Sequence, residues 1–163
     1  GDGQRFFATV DDRLFVFDQR GDKQREHPLG CSPAAFAPNR DGSSFAWSCD
    51  TKLFILPRLD AAPVVFNGLG DEPRQLAWGA SNGAVGARLD HAVVFVDRRG
   101  KRLATMTLRP EPLVESVQGT VWSPRTPSWH ARAACLIDHR AVPVSWCEDA
   151  LFDDTLVERL ITP

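Results

Sequence analysis

Short blocks of apolar residues alternate with polar turns along the chain. RFFATV at Arg5–Val10, RLFVFD at Arg13–Asp18, KLFIL at Lys52–Leu56 and AVVFVD at Ala92–Asp97 are typical, and Gly, Pro, Asn and Asp separate them. Branched and aromatic side chains in runs this short suit a pleated, half-buried surface, so each block reads as a strand. A helix would need apolar residues on a 3.6 period over ten or more positions. The one weak helical candidate is Glu148–Leu160, and its Asp153-Asp154 pair suits a loop followed by a strand equally well. The pattern predicts an all-β chain of about fifteen strands.

The blocks repeat. Leu14-Phe15-Val16-Phe17 aligns with Leu53-Phe54-Ile55-Leu56 and then with Val93-Val94-Phe95-Val96, at spacings of 39 and 40 residues. FDQRGDK after the first copy resembles VDRRGKR after the third, and Ala141–Trp146 reads as a fourth, degraded copy. A second motif runs in phase: Phe36-Ala37-Pro38, Trp78-Gly79-Ala80 and Trp122-Ser123-Pro124, spaced by 42 and 44 residues. A unit of about 40 residues holding four short strands fits a β-propeller blade.

The second unit reads as strands Pro33–Ala37, Ser43–Cys49, Lys52–Pro57 and Pro63–Asn67. The third reads as Gln75–Trp78, Gly83–Leu89, Ala92–Asp97 and Arg102–Leu108. The fourth falls near Ser116–Trp122, Arg132–Asp138, Ala141–Cys147 and Thr155–Thr162. The first has only Arg5–Val10, Arg13–Asp18 and Lys23–Pro28, and lacks its innermost strand. The expected fold is a propeller-like array of about four blades of antiparallel four-stranded sheets, the first incomplete. Residues 1–163 then form one domain, with blades near 4–30, 31–70, 71–110 and 111–163. Closed propellers usually carry four to eight blades. The chain therefore closes as a small ring with one thin blade, is half of a ring completed by another chain or copy, or belongs to a longer propeller.

AAFAPNRDGSSFAWSCDTKLFIL resembles the first three strands of a WD-repeat or Tol-type propeller blade, and VVFVDRRGKRLATMTL is similar to the last two strands of a WD-repeat blade. The resemblance places Asp18 and Asp97 at the aspartate of the family's Trp-Asp dipeptide, with Phe17 and Val96 in place of the tryptophan. It covers Arg5 to Leu108 well and Glu115 to Thr162 loosely. The Gly-His pair of many WD blades is absent.

Composition narrows the function classes. At 163 residues, 43% apolar and 25% charged, the chain has the make-up of a folded domain. Nineteen basic against 21 acidic residues leave a net charge of −2, so no basic field draws in nucleic acid. No apolar run reaches the ~18–20 residues that would insert across a bilayer. Ten Phe and five Trp without Tyr make the aromatics chiefly packing groups. Gly1-Asp2-Gly3 reads as a trimmed end.

Four cysteines are the first chemical candidates. Cys31 and Cys49 flank the Asn39-Arg40-Asp41-Gly42 turn, and Cys135 and Cys147 flank His139-Arg140-Ala141. Each pair can face across a hairpin and close a disulfide in an oxidising compartment; the alternative is four small buried hydrophobes. The compartment follows: cytoplasmic with free thiols, extracytoplasmic with oxidised pairs. No Cys/His spacing suits zinc, and no spacing suits a calcium loop, so no metal or cofactor is expected.

Gly79-Ala80-Ser81-Asn82-Gly83 matches the G-x-S-x-G string of a hydrolase elbow, with Asp90, Asp97, His130 and His139 downstream. That chemistry needs a helix after the serine, and AVGARLDHAVVFV is strand-like, so a tight turn is the plainer reading. His27, His91, His130 and His139 form no i, i+4 pair, and Asp11-Asp12, Glu148-Asp149 and Asp153-Asp154 read as solvated loop carboxylates. Trp129, between Arg125 and His130 in a long loop, is either an exposed contact group or folds back over the blade edge.

These features point to a non-catalytic module that binds a protein partner or itself, through Arg125, Trp129 and His130 and through the open edge at Arg5–Val10. The alternatives are a hydrolase using Ser81, the accessory propeller of a peptidase, or an extracytoplasmic sensor domain.

Overall fold

The computed structural model describes residues 5–79, 83–108, 113–118, 120–122, 134–137, 140–143 and 153–157, with side chains outside 121–122, 134–137 and 140–143. The described strands are β1 (Arg5–Val10), β2 (Arg13–Asp18), β3 (Lys23–Pro28), β4 (Ala35–Pro38), β5 (Phe45–Cys49), β6 (Lys52–Leu56), β7 (Val64–Phe66) and β8 (Gln75–Trp78). They continue as β9 (Ala84–Arg88), β10 (Ala92–Asp97), β11 (Arg102–Thr107), β12 (Leu113–Ser116), β13 (Val121–Trp122), β14 (Ala134–Ile137) and β15 (Arg140–Pro143). Sheet 1 has the order β1-β2-β3, sheet 2 β4-β5-β6-β7, and sheet 3 β8-β9-β10-β11-β12-β13; β14 and β15 form a two-stranded pair. Every pairing is antiparallel. The all-β expectation holds.

Turn chemistry explains the equivalence of the repeats. In β1–β2 and β5–β6 the turns are Asp11-Asp12 and Asp50-Thr51, closing on Val10↔Arg13 and Cys49↔Lys52. Asp11 and Asp50 both take left-handed backbone, at φ 52° and 51°, a conformation aspartate tolerates better than most residues. After β2, Asp18 Oδ1 accepts the amides of Arg20 and Asp22, and the Gly21 amide donates to Asp18 O. After β10, Asp97 Oδ1 accepts the amides of Arg99 and Lys101, and the Gly100 amide donates to Asp97 O. Gly21 and Gly100 sit at φ 84° and 76°, where a side chain would be strained. The register shifts one residue earlier in both copies, at Val16/Phe17 and at Phe95/Val96. The aspartates aligned with the WD dipeptide are thus the organisers of one recurring turn.

Pleating sorts the side chains into cores. Phe45 and Trp47 of β5, with Leu56 of β6, pack on Leu14 and Val16 of sheet 1. Ala46, Leu53 and Ile55, one position out of phase, pack on Leu76, Val85, Ala87, Val94 and Val96 of sheet 3. Sheet 2 is therefore buried on both faces. Two indole N–H groups stitch the joints: Trp47 Nε1 donates to Leu29 O at 3.1 Å, and Trp78 Nε1 donates to Ala37 O at 3.0 Å.

The fourth unit departs from expectation. Ser116–Trp122 is broken by a turn, where Ser116 and Thr120 bond through their hydroxyls at 2.7 Å and the Ser116 amide donates to Thr120 O. The strands on either side, β12 and β13, extend sheet 3. The strand expected at Thr155–Thr162 does not begin at its described residues: Thr155 lies in a turn and Leu156-Val157 form a helical turn. Leu156 is buried there against Ala104 and Val114, which a turn can achieve as well as a strand.

Candidate functional site

β1 is the unfinished element. Among the described residues it pairs with β2 alone, and its other edge carries no strand. One of its faces is used: Phe7 meets the Phe45 ring edge-on at 5.0 Å. The opposite face is open, with Phe6 57% and Val10 55% exposed. Register places Phe17 and Phe15 beside Phe6 and Ala8 on that open face. Arg13, Lys23 and Glu26 rim it: Arg13 and Lys23 both bond the Glu26 carboxylate, and the Lys23 ammonium lies over the Phe15 ring. The Lys23 and Arg13 bonds hold the Glu26 carboxyl below its ordinary pKa. The result is an apolar sheet face with a charged border, beside unpaired backbone donors and acceptors.

A cleft of about 730 Å3 opens between sheet 1 and the turns of sheet 2. Arg5, Asp18 and Arg25 line it from the sheet 1 side, and Arg58 and Asp60 from the β6–β7 connection. Leu59 supplies apolar surface at its wall, with the buried Val16 behind it. Both Asp18 oxygens are committed, Oδ1 to backbone amides and Oδ2 to Gln24 Nε2 at 2.8 Å. Asp60 pairs with Arg58 at 3.2 Å. Arg5 and Arg25 have no carboxylate partner among the described residues. A second, smaller groove of about 300 Å3 lies on sheet 3 along Ala77, Gly86, Val93 and Phe95.

Cys31 and Cys49 are joined as a disulfide, with Cα atoms 6.0 Å apart. Cys31 lies before β4 rather than within it, so the bond ties the β3–β4 connection to the end of β5. On β3, His27 meets the Trp47 ring edge-on at 6.3 Å, and burial lowers its pKa. Cys135 lies in β14 with its side chain undescribed, and Cys147 lies outside the described residues. Arg125, Trp129 and His130 also lie outside them, as do Ser81, His139 and Glu148-Asp149. Asp90, proposed with Ser81 as a hydrolase partner, instead pairs with Arg74 Nε at 3.0 Å, and that bond lowers its pKa. Among the described residues no three His, Cys, Asp or Glu side chains gather as a metal site. No described helix is long and apolar enough to cross a membrane.

The arginine-lined cleft escaped sequence reasoning. Arg5, Arg25 and Arg58 stand far apart in the chain, and only the packing of sheet 1 on sheet 2 unites them. The register of the folded sheet puts Arg5 and Arg25 on one face, through Arg5↔Asp18 and Val16↔Arg25, and the irregularity at Val16/Phe17 breaks the alternation along β3 that could have signalled it.

No protein-family model matches the chain, and no curated protein sequence matches it. Solved structures do. The RRP9 WD40 repeats align with a TM-score of 0.56 at 15% identity, over 77% of this chain and 46% of that one. Hsv2p of Kluyveromyces lactis aligns at 0.51 and 11% identity, over 83% and 51%. Hydrazine synthase of Kuenenia stuttgartiensis aligns at 0.51 and 13% identity, over 75% and 51%. The fold is propeller-like. At these identities the likeness concerns the fold alone, and this propeller-like chain spans about half the length of the structures it matches.

Proposed function

We propose that this chain is a non-catalytic protein-interaction and assembly module, working through its propeller surfaces and the open edge of sheet 1. The observation that carries the reading is β1: among the described residues it has one paired edge, one packed face, and exposed Phe6 and Val10 on the other face. Unpaired strand edges recruit extended segments, and apolar sheet faces are covered in stable assemblies. On this reading residues 1–163 are one domain of four units within a larger ring, in keeping with its share of the matched chains. The loop group Arg125, Trp129 and His130 is a second contact point of the same module.

Solution mass by light scattering tests the reading. We expect species heavier than the 18.0 kDa monomer, with amide exchange slowed along β1 in the heavier species. Thr9→Pro should return the protein to monomer: Val10↔Arg13 and Ala8↔Phe15 are the hydrogen-bonded pairs of the hairpin, so the Thr9 amide faces the open edge, and proline removes it. Trp129→Ala should weaken association in part. A strict monomer whose β1 amides are already protected would overturn the proposal.

A further inference from the structure

The cleft beside β1 carries more than the edge does. Three guanidinium groups and two carboxylates line it, and both carboxylates are committed to bonds inside this chain. Asp60 is paired with Arg58, while Asp18 is bonded only to neutral amides and keeps its charge, so Arg5 and Arg25 against Asp18 leave a space of about 730 Å3 with one positive charge in excess. A guanidinium presents a planar fork of donors that fits a carboxylate with two parallel bonds. Whatever fills this space gains most if it brings carboxylates and some apolar surface, because Leu59, with the buried Val16 behind it, also lines it.

Position supplies the rest. Arg5 is the first residue of β1, so the cleft opens at one end of the edge that no described strand pairs. Residues opposite one another on neighbouring strands share a face. A strand added to β1 would therefore set the side chain opposite Arg5 on the face that carries Arg5 and Arg25. Chain continuing past that point would run across the mouth of the cleft. From this juxtaposition we infer that the cleft is a specificity site for an acidic extended protein segment, whose backbone pairs with β1 and whose carboxylates meet Arg5 and Arg25. The inference rests on the edge reading above and adds the chemistry of the partner.

The test uses two labelled hexapeptides with blocked ends, one alternating valine with glutamate and one alternating valine with lysine. Binding to the intact chain is read by fluorescence anisotropy at low and at physiological ionic strength. The glutamate peptide should bind at least about tenfold more tightly than the lysine peptide, a factor worth about 1.4 kcal/mol, and should weaken as salt rises. Arg5→Gln with Arg25→Gln should remove that preference while leaving the fold intact by circular dichroism. Equal binding of the two peptides, abolished by Thr9→Pro, whose lost amide faces the open edge, would overturn the acidic specificity and leave the edge reading standing. Unchanged glutamate-peptide binding in the double variant would do the same. Binding of neither peptide would overturn both. Displacement of the glutamate peptide by inorganic phosphate at equal concentration would also overturn the inference, because it would mark a small-anion site.

Discussion

His27 shows how one side chain reports on a joint. It lies half-buried on sheet 1, edge-on to Trp47 of sheet 2, and desolvation lowers its pKa from the ordinary value of 6.5. The unfolded chain therefore takes up a proton at a pH where the native chain still resists it. Well above the unfolded value of 6.5, by about a pH unit, neither state is protonated and the group contributes nothing to the pH dependence. As pH falls from there towards the native pKa, the unfolded state gains and stability is lost. Urea denaturation at pH 7.5 and at pH 5.5 should show that loss, and His27→Gln should reduce it. A curve that keeps its full slope in the variant would place the effect elsewhere. The sequence marked His27 as an isolated imidazole and nothing more. Its neighbour is Trp47, twenty residues away in the chain, and no local pattern connects the two.

Elements were most legible where backbone chemistry is local. β1 and β2 follow directly from their apolar blocks, and the polar β3 from DQRGD, because the Asp18 carboxylate and Gly21 build the β2–β3 turn without outside help. The same is true of β10 and DRRGK around Asp97 and Gly100. Legibility failed at 113–122 and 153–157. Leu113–Ser116 is too short to declare itself, and whether it starts a new sheet or extends sheet 3 depends on pairing with β11. Leu156 is buried by Ala104 and Val114, a tertiary contact that suits helix or strand equally. The Cys31–Cys49 bond belongs at this scale too. It closes a loop of sequence separation 18, for which chain entropy suggests about 3 kcal/mol of stabilisation. Reduction, or Cys31→Ser with Cys49→Ser, should lower the urea midpoint accordingly and leave the strand signal in circular dichroism unchanged. A midpoint that does not move would mean that the β3–β4 connection is held without the bond, by Trp47 and Leu29.

At the scale of the molecule sheets 1, 2 and 3 are unequal. Sheet 2 feeds two cores from opposite faces, with Phe45 and Trp47 towards sheet 1 and Leu53 and Ile55 towards sheet 3. Arrays whose units touch only their neighbours respond to damage according to how many interfaces it reaches. Ile55 is fully buried, so Ile55→Ala should cost about 2–5 kcal/mol and speed amide exchange in both sheet 2 and sheet 3. Phe6 is 57% exposed on the open face of sheet 1. A free surface position of that kind should tolerate Phe6→Ser within about 0.5 kcal/mol in the isolated monomer. The same change should weaken association clearly, because an exposed aromatic at a contact supplies burial only when a partner arrives. The two variants therefore separate folding from assembly: one loses urea stability, the other loses mass in light scattering. If Phe6→Ser were as destabilising as Ile55→Ala in the monomer, the open face would already be covered within a single chain. The edge at Arg5–Val10 would then be part of a closed ring and no docking surface.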